Sequence, residues 1–492
     1  MELPADMWEI IAILCDGCKT RCLLRSLSRV TRDVCDNPKV WQHNAVESFW
    51  SALRGGSKES AVWLVDTFSL SDDWVRGYGN WALQIVCEYG HLEVTQWLVE
   101  RFAMTAGDMR SPLYCPARDA CTGGHLLVAQ YLVARFDLTV SDVIGDLHRS
   151  NVLRRVCENG HLLMAQWLTD RFDLVAGYPR EAIPSVLRGA CRGGHLAVAQ
   201  WLVTAFGLTG EDARREETYA LRESCKNGHL TVAQWLVTAF ELTREDVCRK
   251  EAYALRKSCG NGHLAVAQWL VAAFELTRED ACLKEAYALR KSCGNGHLAV
   301  AQWLVAVFEL TREDACLKET YALRKSCGNG HLAVAQWFAE KFALTADDAR
   351  ATSNWALWRS CAEGHLEVAQ WLAERFALIP GDARDSANRA LSSTCANGHL
   401  EVAQWLAARF ALAPDDARCN AYLALRATCV NGHLEVVQWL VDQFSLTAID
   451  IALCDFWLAG CYIRAHPAVD MWLRERFGVP GVYDAVPARP HN

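Results

Sequence analysis

Eleven histidines, at positions 91, 125, 161, 195, 229, 263, 297, 331, 365, 399 and 433, each follow a cysteine by four residues, as in Cys259/His263, Cys293/His297 and Cys327/His331. A thiol and an imidazole at that spacing on one unbroken helix would share a face and supply two corners of a zinc tetrahedron, or pair as nucleophile and base. Glycines intervene, however, as in "CGNGH" at 259–263, so a helix carrying the cysteine ends before the histidine. No second Cys or His pair falls at matching offsets in each copy, and copies about 10 Å apart cannot share an ion. The expectation is therefore structural: the cysteine fills a small buried slot, the histidine hydrogen-bonds the loop of an adjacent unit, and no metal or cofactor is required.

A column of aromatic residues invites a similar question. Trp97, Trp167, Trp201, Trp235, Trp269, Trp303, Trp337, Trp371, Trp405 and Trp439 hold one position, with Tyr131 in the remaining copy. Aromatic rows stack the bases of single-stranded nucleic acid when lysines are interleaved to hold the backbone. Here each ring, Tyr131 included, precedes a leucine, or Phe338 in the case of Trp337, and the lysines are not interleaved, so the column is expected in the core.

Both columns belong to a repeat. The glycine-histidine-leucine triplet recurs every 34 residues, except for a step of 36 between His125 and His161, and degenerate copies flank it at 56–64 and 466–473. About thirteen units result, each too small to bury its own apolar face without its neighbours. Within one unit Cys282, Ala286, Leu289 and Cys293 mark a helical stripe, Gly294-Asn295-Gly296 ends it, and Val300, Ala301, Trp303, Leu304 and Phe308 mark a second helix. Threonine followed three residues on by aspartate, as at Thr243/Asp246 and Thr277/Asp280, predicts a capped helical turn ahead of each unit, with the threonine accepting from a free amide. Pro179 and Pro184 predict an irregular unit before His195.

The stretch "YALRKSCGNGHLAVAQWLV" resembles the helix-turn-helix core of an ankyrin repeat. The family's leucine matches Leu289, its second alanine matches Cys293, its glycine-histidine turn matches Gly296 and His297, and its paired apolar positions match Val300-Ala301 and Trp303-Leu304. The likeness covers about residues 46 to 478. It departs at the Thr-Pro-Leu-His start, which is absent, and at the histidine of that motif, replaced by Arg256, Arg290 and Arg324; Phe274 and Phe308 stand where the family has glycine. The resemblance implies an all-α, ankyrin-like helical repeat solenoid that binds proteins.

Composition sets the remaining bounds. A chain of 492 residues that is 51% hydrophobic can bury a large core, and a net charge of −8 gives no global field for nucleic acid or anionic lipid, so neither is an expected partner. The opening "MELPADMWEI" lacks a basic n-region and no stretch holds 18 successive apolar residues. With 22 cysteines and no export signal, reduced thiols and a cytoplasmic or nuclear location are expected. No phosphate loop, nucleophile elbow or metalloprotease histidine pair is present, so the expectation is a binding protein and not an enzyme.

Binding positions are suggested by charge. Six residues before successive histidines stand Lys257, Lys291, Lys325 and Arg359, preceded by Glu223, a basic comb about 30 Å long at about 10 Å per unit. It is either a solvated face or a dock for an acidic surface of a target protein. The tail from residue 479 holds three prolines and no helical period, and is expected to be disordered.

Residues 1–45 lie outside the period. Met7, Ile10, Ile11 and Leu14 fall on one helical face behind Pro4, Leu23, Leu24, Leu27 and Val30 mark a second helix, and Val34 with Trp41 a third. Cys15, Cys18 and Cys22 lack regularly spaced further ligands, which leaves zinc a minor alternative. This segment resembles an F-box: Leu3-Pro4 match the family's opening, Glu9-Ile10 through Leu14 its first motif, Leu23, Leu24 and Leu27 its leucine-rich middle, and Asp36, Pro38 and Trp41 its close. The resemblance implies that Leu3, Pro4, Ile10, Ile11 and Leu14 dock a Skp-type adaptor of a cullin-RING ubiquitin ligase. The alternative is that this face packs on the first degenerate unit near Trp50 and Trp63. Pairing an F-box with ankyrin-type repeats is similar to proteins of large DNA viruses, which implies action in a host cell.

Overall fold

A computed structural model describes residues 48–68, 81–110, 115–145, 152–451, 453 and 466–478. The F-box-like segment with Leu3, Pro4, Ile10, Ile11 and Leu14, its cysteine cluster, and the tail from 479 lie outside the described residues. Among the described residues every regular element is helical and no strand occurs. The chain divides into two compact groups, Met1–Ser224 with His229–Leu242, and Cys225–Gly228 with Thr243–Asn492.

Each unit is a pair of helices, as at Arg278–Gly294 and Leu298–Val307. Packing is most extensive between first helices of successive units, Arg244–Gly260 on Arg278–Gly294 and Ala346–Ala362 on Pro380–Ala396. Second helices contribute Val300, Ala301 and Leu304, none more than 2% exposed. Small residues such as Ala301 let neighbouring backbones approach, and each buried leucine contributes about 2 kcal/mol by leaving water. The degenerate copies also form helices, Lys58–Phe68 and Pro467–Phe477. The unit with two prolines is irregular, with a short helix at Leu174–Gly177, a 3₁₀ turn at Arg180–Ala182, and Pro184 in the first turn of Ile183–Gly193.

Two features differ from the sequence reading. The stripe from Cys282 to Cys293 is not one straight helix face, because Lys284 and Ala286 have φ of 52° and 51°. The same left-handed link occurs at Thr352, Ser353 and Asn354, and at Ser386, Ala387 and Asn388. In these units the first helix is therefore a capped opening segment, a left-handed link and a second segment. Left-handed backbone costs an L-residue roughly 1–2 kcal/mol, so neighbours must hold the link in place. Arg256 and Arg290 do so by donating to the carbonyls of Lys250 and Lys284 at 2.9 and 2.8 Å. This gives a role to the arginine found where the ankyrin pattern has histidine.

The cap is fuller than expected. The threonine accepts from the helix, the Asp450 N–H donating to the Thr447 hydroxyl at 3.4 Å. The aspartate also accepts from the backbone N–H of Thr277 at 2.8 Å, and the Thr277 hydroxyl donates to the same oxygen at 3.2 Å. The aspartate suffices alone: Asp382 accepts from the Ile379 N–H and Asp416 from the Ala413 N–H, at 2.8 and 2.7 Å, where no hydroxyl exists.

Candidate functional site

The cysteine and histidine columns part at the turn. Cys259, Cys293 and Cys327 are wholly buried, and burial pushes the Cys259 thiol up to about 12, so it stays protonated and unreactive at neutral pH. The imidazoles instead reach back to the preceding unit. His91 Nε2 lies 2.8 Å from the Arg54 carbonyl, His125 Nε2 2.7 Å from Glu88, and His229 Nε2 2.9 Å from Arg192. A carbonyl only accepts, so Nε2 carries the proton and donates.

The turn asparagine converges on the same acceptor. Asn295 Nδ2 donates to the Gly260 carbonyl at 2.6 Å, and His297 bonds that carbonyl as well. Two donors from one unit thus close the frayed helix end of the unit before it. Gly296 is required twice over: its φ is +82°, and a Cβ there would lie 2.7 Å from His331 Nδ1. Burial holds the His297, His331 and His365 imidazoles below their usual value, keeping them neutral.

The cap aspartates form a second seam between units. Most accept from an arginine one unit earlier, as Asp314 does from Arg278 at 2.6 Å and Asp416 from Arg384 at 2.8 Å. The Arg418 guanidinium, with the Thr447 N–H and hydroxyl and the Tyr422 hydroxyl, holds the Asp450 carboxyl far below the usual carboxylate range despite its burial.

The tryptophan column is not in the core. All ten are half-buried, and each ring stands edge-on against a phenylalanine five residues on, as for Trp303 and Phe308 with centroids 6.2 Å apart. Phe308 is the buried member, at 5% exposure. The tryptophan covers it from the solvent side, a geometry favoured by the ring quadrupoles.

The comb residues are assembled with partners that the sequence reading missed. Lys257 donates to the Tyr287 hydroxyl at 3.1 Å, and its ammonium stands 5.6 Å from the Tyr253 ring and 5.4 Å from that of Tyr287. Lys291 stands 5.9 Å from Tyr287, and Lys325 5.8 Å from Tyr321 and 4.9 Å from Trp355. Arg256 and Arg290 add contacts to the rings of Tyr287 and Tyr321. Gly260 and Gly294 seat the stems: a Cβ at either would lie 3.2 or 3.1 Å from Cβ of Lys291 or Lys325. The signal was legible as tyrosine four residues ahead of each lysine, one helical turn. Arg359 differs from the rest, because it is paired with Glu363 at 2.5 Å.

Among the described residues no cluster of three or more His, Cys, Asp or Glu side chains is placed to hold a metal ion, and no helix is long and apolar enough to cross a membrane. No protein-family model matches the chain. No curated protein matches it either.

Proposed function

We propose that the chain is a protein-binding adaptor: an ankyrin-like array holds a target protein, and the F-box-like segment delivers it to a Skp-type adaptor of a cullin-RING ubiquitin ligase in the cytoplasm or nucleus of a host cell. The observation that supports holding over turnover is how the reactive residue types are used. Thiols are buried and imidazoles are bound to backbone in one unit after another, so the repeats spend their chemistry on stacking and leave outward side chains to recognise a partner. Delivery rests on Leu3-Pro4, Ile10, Ile11, Leu14 and the Asp36, Pro38, Trp41 close. A small helical module with that many apolar side chains on one face needs a partner for it.

The test is co-purification. Alanine at Leu3, Pro4 and Ile11 is expected to abolish recovery of a Skp-type adaptor while the melting of the array is unchanged. If the wild-type chain recovers no adaptor where a known F-box protein does, delivery fails and a free-standing scaffold or decoy is the better reading.

A further inference from the structure

Lys257, Lys291 and Lys325 occupy one position in three successive, nearly identical units, and all three are half-buried. A long flexible side chain normally loses much of a contact's benefit to ordering. Here the ordering is already done. The stems of Lys291 and Lys325 lie over Gly260 and Gly294, and the ammonium groups stand against the rings of Tyr253, Tyr287, Tyr321 and Trp355. An ammonium has three donors; Lys257 gives one to the Tyr287 hydroxyl, and the ring faces of Tyr287 and Trp355 take none in the directed way a carboxylate does.

Spacing says what fits. Stacked helices lie about 10 Å apart, and a peptide in the extended polyproline II form advances about 3.1 Å per residue with three residues per turn, so one unit corresponds to about three residues and every third side chain falls on one face. We propose that the three lysines form a ruler for an extended acidic peptide with a carboxylate at every third residue. This rests on the reading that the array holds a target protein, and it names the chemistry of the segment held.

Nucleic acid is the competing polyanion, and two observations disfavour it. Binding a single strand needs open ring faces for base stacking. The Tyr287 ring already has Arg256, Lys257 and Lys291 within 6 Å, and Trp355 has Arg324 and Lys325. Exposed Glu245 and Glu279 stand at the start of the helices that carry Lys257 and Lys291, and exposed Glu313 in Arg312–Ala315, the short helix just before that of Lys325, so a continuous phosphate backbone running along these helices would meet like charge. A peptide with neutral residues between its carboxylates avoids that repulsion.

The experiment uses the full chain and labelled twelve-residue peptides of one composition, with glutamates either at every third position or at every fourth, read by fluorescence anisotropy. The every-third peptide is expected to bind at least about tenfold more tightly, with affinity falling steeply as salt rises. The triple variant K257E/K291E/K325E is expected to abolish that binding, and K257R/K291R/K325R to retain it with an unchanged helical melt. Equal binding of the two peptides, or binding indifferent to the glutamate variant, overturns the proposal. Tighter binding of an oligo-dT strand through the same lysines overturns it in favour of nucleic acid. Adaptor recovery through residues 3–14 is independent of these lysines, so failure of the peptide ruler and failure of the delivery reading are separately visible.

Discussion

Two neighbouring stretches of the same compact group, 243–344 and 345–446, solve one problem in two ways. In both, an aspartate caps the first helix, and an arginine of each unit binds the cap aspartate of the next. In the earlier stretch the arginine directly follows the cap residue: Arg244, Arg278 and Arg312 reach Asp280, Asp314 and Asp348 through one nitrogen at 2.6, 2.6 and 2.7 Å. In the later stretch Arg350, Arg384 and Arg418, one turn further along their helices, grip Asp382, Asp416 and Asp450 through Nε and Nη2 together. Where the later units have that arginine the earlier ones have Cys248, Cys282 and Cys316, and Cys282 Sγ lies 3.6 Å from Asp314 Oδ1. A fork on a carboxylate fixes direction as well as distance, so the later seam is the stiffer of the two.

The largest expected difference comes from deleting the carboxylate. Asp416 also accepts from the Ala413 N–H and from Asn388 Nδ2, and it is only 9% exposed. Asp416→Ala is expected to cost about 3 kcal/mol, because a buried charged hub loses several directed bonds at once. Asp314→Ala, with a half-exposed single-point arginine, is expected to cost about 1.5 kcal/mol. Urea denaturation with hydrogen exchange localised to each unit measures both, and equal losses would erase the distinction between the seams.

A smaller effect tests whether the two routes are interchangeable. Arg278→Ala is expected to lower the urea midpoint by less than Asp314→Ala does, as for other exposed pairs, and to speed amide exchange in 311–316. Adding Cys282→Arg places a guanidinium where Arg384 stands in its own unit, and the double variant is expected to recover most of the loss. Failure to recover would mean that the units differ in geometry and not only in side chains.

What the letters disclosed, and what they hid, follows from the range of the interactions. Helix pairs, glycine turns and buried cysteines were legible because apolar periodicity and glycine act within a few residues. The partners of Asp314 and of the Gly260 carbonyl lie 36 and 35 or more residues away in sequence, and nothing in one unit names them. The left-handed link at 284–286 was invisible because Lys284 and Ala286 are good helix formers, overridden by Arg290 and the packing of the next unit. The tryptophan column misled for a related reason. A residue beside a core leucine shares its pattern yet falls at the rim, so Trp303 covers Phe308 in place of being covered.

The smallest effect concerns a position where the two stretches differ in residue and agree in backbone. After the phenylalanine that ends each second helix, the earlier stretch places Glu275 and the later one Ala377, with φ of 49° and 47°. Both side chains are exposed, so neither is held there by packing. An L-residue in this left-handed cap carries a penalty that glycine does not, and the equivalent residue in another unit is Gly207 at φ 59°. Glycine also adds freedom to the unfolded chain, which returns part of the gain. Glu275→Gly and Ala377→Gly are each expected to stabilise their unit by about 0.5 kcal/mol, measured by urea midpoint and local exchange. The two gains should match, because a backbone penalty ignores the side chain removed. A gain at Ala377 with a loss at Glu275 would mean that the glutamate makes a contact worth more than the strain it tolerates, and the cap would then belong to the features that separate the two stretches.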